Sequence, residues 1–289
     1  MTNNTPHTYY IIGPTAIGKS NYAIDLAKKI NGEIISADAY QIYKYMNIGT
    51  GKTPIKHQQK IPHHLLDILT PDQNYNVTDF LKRTNTLINS ITKKNKTAII
   101  CGGNGLYLQS FLYNYTFPAA KSDPEIRKNL EEKYISKGKE YLWNYLNKTD
   151  PVSAKKIHPN NKHHLLRCIE IYEITKKIPS EIKQKSPTIR PNTKIIGLNS
   201  SRNVVKDLIS TRVDNMIKIG LIEEVNLLLK KGYPHSLPAL NCIGYKEVIS
   251  YLKGIIDKKD MIELIKRNSY HFSKRQLTWF KKIENINWL

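Results

Sequence analysis

The segment Gly13-Pro14-Thr15-Ala16-Ile17-Gly18-Lys19-Ser20 satisfies the pattern G-x-x-x-x-G-K-[ST], and each residue type in it has a physical task. The glycines let the loop wrap so that successive backbone N–H groups converge on phosphate oxygens, and the N-terminus of a following helix adds partial positive charge. Lys19 supplies a point charge for the terminal phosphate, and Ser20 offers a hydroxyl to Mg²⁺. The motif does not choose the phosphate, since a nucleoside triphosphate and a diphosphate ester fit the same cradle. Asp38 closes the run Gly32-Glu33-Ile34-Ile35-Ser36-Ala37. That run is expected to be a strand next to the one feeding the loop, which puts Asp38 where open α/β sheets bind ligands. A carboxylate there can hold Mg²⁺, take a proton from an arriving amine or hydroxyl, or simply cap a turn.

These groups need a frame. Short β-rich runs at Tyr9 to Ile12, Ile34 to Ala37, Leu65 to Leu69 and Ala98 to Cys101 alternate with helical patterns, which predicts βαβ units and a parallel sheet covered by helices. A further run, Lys194 to Leu198, comes after a stretch of different character. There, Asp123-Pro124 reads as an N-cap with Pro at the first helical position, opening a segment through Leu130, Tyr134 and Ile135 that stops near Gly138. Lys139 to Leu146 and Lys162 to Thr175 continue the helical pattern, the latter with Leu165, Leu166, Ile169 and Tyr172 in register. The predicted organisation is an α/β core with a P-loop NTPase-like parallel sheet, formed by residues 1–117 and 191–289, with a helical domain inserted at 118–190. Two more helices are expected at Val204 to Lys231 and Lys259 to Lys282. In the second, Ile265, Phe272 and Trp279 fall seven apart on an apolar face, while Arg267, His271, Lys274 and Lys281 line a basic one.

Composition agrees with a polyanionic partner. The formal charge is +21, from 45 Lys and Arg against 24 Asp and Glu. Only eight of the 45 are Arg, and AT-rich coding yields such Lys-, Asn- and Ile-rich chains, so charge alone does not name the partner. Cys101, Cys168 and Cys242 have no metal-ligand spacing and read as reduced thiols. Met1 to His7 is short and polar, and no apolar run approaches a bilayer's thickness, so a cytoplasmic protein with no membrane partner is expected.

Taken together, these segments resemble the bacterial tRNA dimethylallyltransferase (tRNA isopentenyltransferase) family over nearly the whole chain. GPTAIGKS is followed by ISADAYQIYKYMNIGTGK at Ile35 to Lys52, PHHLLD at Pro62 to Asp67, and GGNGLYL at Gly102 to Leu108, similar to the family's GGTGLYL. Asp150-Pro151 through Arg167, Arg212-Val213-Asp214, Ile243-Gly244-Tyr245 and KRQLTWF at Lys274 to Phe280 follow in the family's order. The resemblance implies a P-loop core with a helical insertion that grips the tRNA anticodon stem-loop, working as a monomer with Mg²⁺. The implied reaction moves a dimethylallyl group from dimethylallyl diphosphate to the N6 amino group of the adenosine 3′ of the anticodon and releases diphosphate. It makes Asp38 the general base, with Lys19, Asn104 and Arg212 as its catalytic companions, and Gly13 to Ser20 the diphosphate cradle. Asn104 stands where the family carries Thr.

The tRNA contacts implied by the resemblance fall on Asp38, Ala39, Tyr40 and Gln41; on Arg127; and on His163, His164, Leu165, Leu166 and Arg167. They continue on Asn241, Cys242, Ile243, Gly244, Tyr245 and Lys246, and on Lys274, Arg275, Gln276, Leu277, Thr278, Trp279, Phe280 and Lys281. His63 and His64, beside a strand, read as structural. Two other functions use the same cradle or charge: a P-loop kinase acting with ATP on a nucleoside or other small molecule, and an RNA-binding protein without transfer chemistry.

Overall fold

The computed structural model describes residues 8–58, 61–118, 122–182 and 184–289; the polar lead-in read at Met1 to His7 lies outside them. The chain divides into two compact units, Met1–Phe111 with Arg190–Leu289, and Leu112–Ile189. In chain order the elements are β1 (Thr8–Ile12), α1 (Lys19–Ile30), β2 (Gly32–Ser36), α2 (Ile55–Gln58), β3 (His63–His64), α3 (Val77–Lys93), β4 (Thr97–Cys101) and α4 (Gly105–Leu112). The second unit holds α5 (Pro124–Lys137), α6 (Lys139–Thr149), α7 (Pro151–Ala154), α8 (Lys162–Thr175) and α9 (Pro179–Ile182). The first unit then resumes with β5 (Thr193–Gly197), α10 (Arg202–Lys218), α11 (Leu221–Lys230), α12 (Tyr245–Leu252), α13 (Lys258–Phe280) and β6 (Ile286–Trp288).

The strands form one parallel sheet in the order β3-β2-β4-β1-β5-β6. Ile11, Ile34, Ile35, Ile99 and Ile100 are buried, as expected of strands covered on both faces, which is why they read as continuous apolar runs. The lateral order corrects one expectation: β2 is not the neighbour of β1, because β4 lies between them, with Ile99 paired to both Tyr9 and Ile34. The loop after β1 and the loop after β4 therefore leave adjacent strands at the carboxyl edge of the sheet, where such sheets bind ligands.

Three further expectations are corrected. The run Leu65 to Leu69 is not a strand: the paired segment is His63–His64, after which Leu65 (φ 63°) and Asp67 (φ 52°) take left-handed backbone and the chain packs back on Ile42 through the Ile68 N–H. The helix expected from Val204 to Lys231 is broken at Gly220 (φ 104°) into α10 and α11, and α12 adds a helix that the periodicity did not announce. On α13 the buried positions are Met261, Ile265, Ser273, Gln276 and Phe280, whereas Phe272 and Trp279 are 37% and 38% exposed. The inward face thus includes polar residues, which periodicity cannot distinguish from solvated ones.

The second unit packs Leu130, Leu142, Leu146, Leu165, Leu166 and Ile169 against one another. Asp123 caps α5 through the N–H groups of Glu125 and Ile126, and Gly138 ends it; Ile135 on that helix is 80% exposed and adds nothing to the core, contrary to its place in the expected apolar pattern. Buried Asp150 accepts from Ser153 N at 2.9 Å, Ser180 N at 2.9 Å and Ser180 Oγ at 2.7 Å, so the Asp150-Pro151 motif is a start of α7 that also ties down α9. His64 Nε2 and Lys96 Nζ lie 2.7 and 2.8 Å from the buried Glu33 carboxylate, which gives that charge the partners burial requires.

Candidate active site

The loop between β1 and α1 has the backbone of an anion cradle. Ala16 (φ 67°) and Gly18 (φ 92°) are left-handed, the alternation that turns successive N–H groups to one side. Among the described residues no side chain caps α1 at Gly18 and no acid occupies its first turn, so its leading N–H groups are left to an anion. A Cβ on Gly13 would lie 2.3 Å from the Leu198 carbonyl at the end of β5, which is why that position needs glycine. Lys19 is half-buried and its Nζ donates to the Pro14 carbonyl at 2.6 Å. Withdrawal from water, with the nearby Arg212 charge acting in the same direction, pushes the Lys19 ammonium down to about 8. Ser20 is exposed and lines a small cleft with Ser36, Gln41 and Cys101.

Asp38 lies two residues past the end of β2. Its Oδ1 accepts the N–H groups of Tyr40 (2.8 Å) and Gln41 (3.2 Å), so the carboxylate does cap the turn that was one of the sequence-based alternatives. The same charge acts on both Lys19 and Arg212. Asn104 is held to this corner by its own N–H, which donates to the Ala37 carbonyl at 3.3 Å, and by Gly102, where a Cβ would lie 2.2 Å from that same oxygen. Asn104 Oδ1 accepts Tyr107 N at 3.2 Å and so caps α4. Asn and Thr are both good N-cap residues, so either can make this cap, and in Asn104 the amide nitrogen lies beyond it.

Arg212, from α10, donates from Nη1 to Thr15 Oγ1 at 3.0 Å. Burial lowers its pKa while the Asp38 charge raises it. Its guanidinium lies against Gly51, where a Cβ would sit 2.0 Å from Nη2. The loop bearing Gly51 is fixed by Glu224, whose carboxylate accepts from Asn47 N and Ile48 N at 2.8 Å each, Gly49 N at 3.2 Å and Tyr245 Oη at 2.6 Å. Gln41 Nε2 donates to the Thr50 and Gly51 carbonyls. Sequence reasoning missed Glu224 entirely; an acid in the first turn of a helix, beside Glu223, carries no local signal for partners so far away along the chain.

The expected tRNA-contact side chains divide by burial. Asn241, Lys246, Lys274, Arg275, Thr278, Trp279, Lys281, His163 and His164 are exposed, and Ala39, Tyr40, Gln41, Ile243 and Leu277 are half-buried. Leu165, Leu166, Cys242, Tyr245, Gln276 and Phe280 are buried, and Gly244 offers only backbone beneath Leu221. As side-chain contacts to RNA these seven are corrected: the apolar ones are core, Tyr245 holds Glu224, and Gln276 bonds inward to Thr15 and Gly103. Cys101 and Cys242 are free and buried, and burial raises both thiols, Cys101 to about 11.

In the helical unit, Arg127 and Arg167 converge on Glu170, whose Oε2 accepts from Arg127 Nη1 at 3.1 Å and Arg167 Nη1 at 2.9 Å. Glu170 is buried, and its Oε1 takes Ser122 Oγ and Asp123 N. Desolvation, then the charges of Arg127, His164 and Arg167, hold the His163 pKa below its ordinary value.

An all-parallel α/β core with a phosphate-type loop at the carboxyl end of β1 defines the P-loop-like class of fold. Comparison with known proteins narrows the class. The family model described as IPP transferase matches residues 41–283. The tRNA dimethylallyltransferase of Acetivibrio thermocellus is 45% identical over 282 residues, spanning 96% of this chain and 90% of that protein. That of Oceanobacillus iheyensis is 41% identical over 279 residues, spanning 96% and 89%. The crystal structure of the tRNA isopentenylpyrophosphate transferase of Bacillus halodurans superposes with a TM-score of 0.72 at 37% identity, covering 98% of this chain and 89% of that one. A eukaryotic dimethylallyltransferase acting on tRNA gives a TM-score of 0.84 at 29% identity, with 98% and 73% coverage. The chain belongs to the tRNA dimethylallyltransferase family.

Proposed function

We propose that this chain transfers the dimethylallyl group of dimethylallyl diphosphate to the N6 amino group of the adenosine 3′ of a tRNA anticodon. The observation that carries the reading is the gathering of these groups at one edge of the sheet: Arg212 binds the phosphate loop through Thr15 Oγ1 at 3.0 Å, and Ala37, the residue before Asp38, accepts the Asn104 N–H at 3.3 Å. The bond from the allylic C1 to N6 forms as the C1–O bond breaks; the N6 proton goes to Asp38 and the electron pair leaves with diphosphate. Lys19, Arg212 and the phosphate-loop N–H groups from Ala16 to Ser20 stabilise the leaving group where its charge grows. Asn104 donates from its amide to the same oxygens or holds the acceptor amine.

Mg²⁺ fits this donor set. The exposed Ser20 hydroxyl in the first turn of α1 would hold the ion together with diphosphate oxygens, the all-oxygen coordination that Mg²⁺ favours. Bound there, it supplies charge neutralisation to the leaving group.

The target base must leave the stack of its loop to be reached, at a cost of a few kcal/mol that RNA contacts offset. We assign those contacts to the exposed Lys246, Lys274, Arg275 and Lys281, and in the helical unit to the exposed His163 and His164 with the half-buried Arg127 and Arg167. We place the enzyme in the cytoplasm as a monomer; among the described residues no helix is long and apolar enough to cross a membrane. The relatives are transferases, which does not favour the kinase reading. The test is mass spectrometry of nucleosides from tRNA incubated with protein, Mg²⁺ and dimethylallyl diphosphate. A prenylated adenosine is expected; unmodified tRNA together with ATP-dependent phosphorylation of a small molecule would replace the proposal by the kinase.

A further inference from the structure

Three consecutive residues of α13 face different ways. Lys274 and Arg275 are exposed, whereas Gln276 is 4% exposed. The Gln276 amide uses both of its ends. Oε1 accepts the N–H of Thr15 at 2.7 Å, and Nε2 donates to the carbonyl of Gly103 at 3.0 Å. Thr15 belongs to the phosphate loop, and Gly103 is the residue before Asn104. One side chain thus ties together the two loops that leave the adjacent strands β1 and β4.

The fit leaves no slack. A Cβ on Gly103 would come within 2.1 Å of Gln276 Nε2, and one on Gly105 within 2.5 Å of Trp279 Cγ, three residues further along α13. Gln109 Nε2 donates to the Trp279 carbonyl at 3.0 Å, so the helix is pinned to α4 on the far side of Asn104 as well. The bond to Thr15 also takes one N–H of the loop away from the phosphate side, which fixes the direction of the rest. Few side chains could replace it. Glutamate keeps the acceptor for Thr15 but sets a carboxylate against the Gly103 carbonyl, and methionine fills the space with neither bond.

We propose that Gln276 is a positioning residue that sets the diphosphate cradle in register with the Asn104 corner, and that it does not contact RNA. The proposal rests on the transfer reading above. Through it, the helix that offers Lys274 and Arg275 to RNA also fixes the spacing between leaving group and acceptor, a distance on which reaction rate depends steeply.

The experiment measures three quantities on Gln276→Met, Gln276→Glu and Gly103→Ala: affinity for inorganic diphosphate with Mg²⁺ by calorimetry, affinity for tRNA without diphosphate, and steady-state transfer. Gly103→Ala displaces the Gln276 amide without changing any residue of α13, so it serves if the Gln276 variants fold poorly. Diphosphate should bind about tenfold more weakly in each variant, the scale of one or two hydrogen bonds, with kcat reduced further and tRNA affinity within about twofold of wild type. Weakened tRNA binding with unchanged diphosphate affinity would make Gln276 an RNA contact and overturn the proposal, as would three unchanged quantities. A wild-type protein that binds diphosphate but transfers nothing would sink the transfer reading alone, because the diphosphate arm still reports on the clamp.

Discussion

Lys19 Nζ donates to the carbonyl of Pro14 at 2.6 Å, so the ammonium is folded onto the loop from which it reaches for phosphate. A diphosphate must replace that carbonyl. Withdrawal from water is the main reason its pKa falls to about 8; the Arg212 charge adds to the fall, while Cys101 and Asp38 act against it. The ammonium is therefore charged below about pH 8 and lost above it. Diphosphate affinity should fall as pH rises through 8, measured by calorimetry, and Lys19→Ala should bind more weakly and show no such step. The sign for stability is opposite. A lysine whose pKa is lowered by folding costs stability while charged, and that cost is relieved as pH climbs from about 8 toward the unfolded value near 10.4.

Asp38→Asn keeps an Oδ1 to accept the Tyr40 and Gln41 N–H groups, so the turn should survive while the proton acceptor is lost. Single-turnover transfer should fall by roughly 10²–10⁴ with tRNA affinity little changed. Collapsed binding with intact chemistry would make Asp38 an RNA contact.

Asn104→Ala removes the cap on Tyr107 N and any donor to the site. A stability loss of about 1 kcal/mol is expected from the cap, and a rate loss of about 10²–10³ from the donor. Asn104→Thr restores both functions and should stay within about tenfold of wild type. An Ala variant that melts earlier yet transfers at the wild-type rate would confine Asn104 to the cap.

Gly51→Ala would force a methyl to within 2.0 Å of Arg212 Nη2 at a backbone φ of +60°. Arg212 should be displaced from Thr15, weakening diphosphate binding by about tenfold or more, the scale of a charge-assisted hydrogen bond. Arg212→Lys should not recover it, since a point charge cannot span Thr15 and the phosphate as a planar fork does. Undisturbed diphosphate affinity in both variants would remove Arg212 from the cradle.

If Lys274 and Arg275 meet RNA phosphates, tRNA affinity should fall steeply with salt. Replacing either by Glu should flatten the log–log slope by about 0.7–0.9 per lost contact. Arg127 needs gentler treatment, because a carboxylate there would oppose the buried Glu170 that now accepts from it. Arg127→Ala should flatten the slope to a similar degree, and slopes unchanged in all three variants would return the charge excess to composition alone.

What the sequence determined by itself is what depends on neighbours in the chain. The cradle was legible because its chemistry uses the backbone of eight consecutive residues, Gly13 to Ser20. The strands β1, β2 and β4 were legible because burial demands unbroken apolar runs, β5 from the shorter apolar run after Lys194, and α5 and α8 because Asp123, Gly138 and a helical repeat mark them locally. Tertiary structure alone decided the rest. Hydrophobic runs announce strands without their lateral order, so the insertion of β4 between β1 and β2 could not be read. Periodicity shows which residues avoid water, but not which polar residue will find a partner inside. Glu170 and Glu224 on that account went unnoticed, and Gln276 was expected among the tRNA contacts of a basic helix. Its hydrogen bond to Thr15 spans 261 residues of chain, and only the packing of α13 against the loops after β1 and β4 gives a buried amide the two backbone groups that make it favourable there.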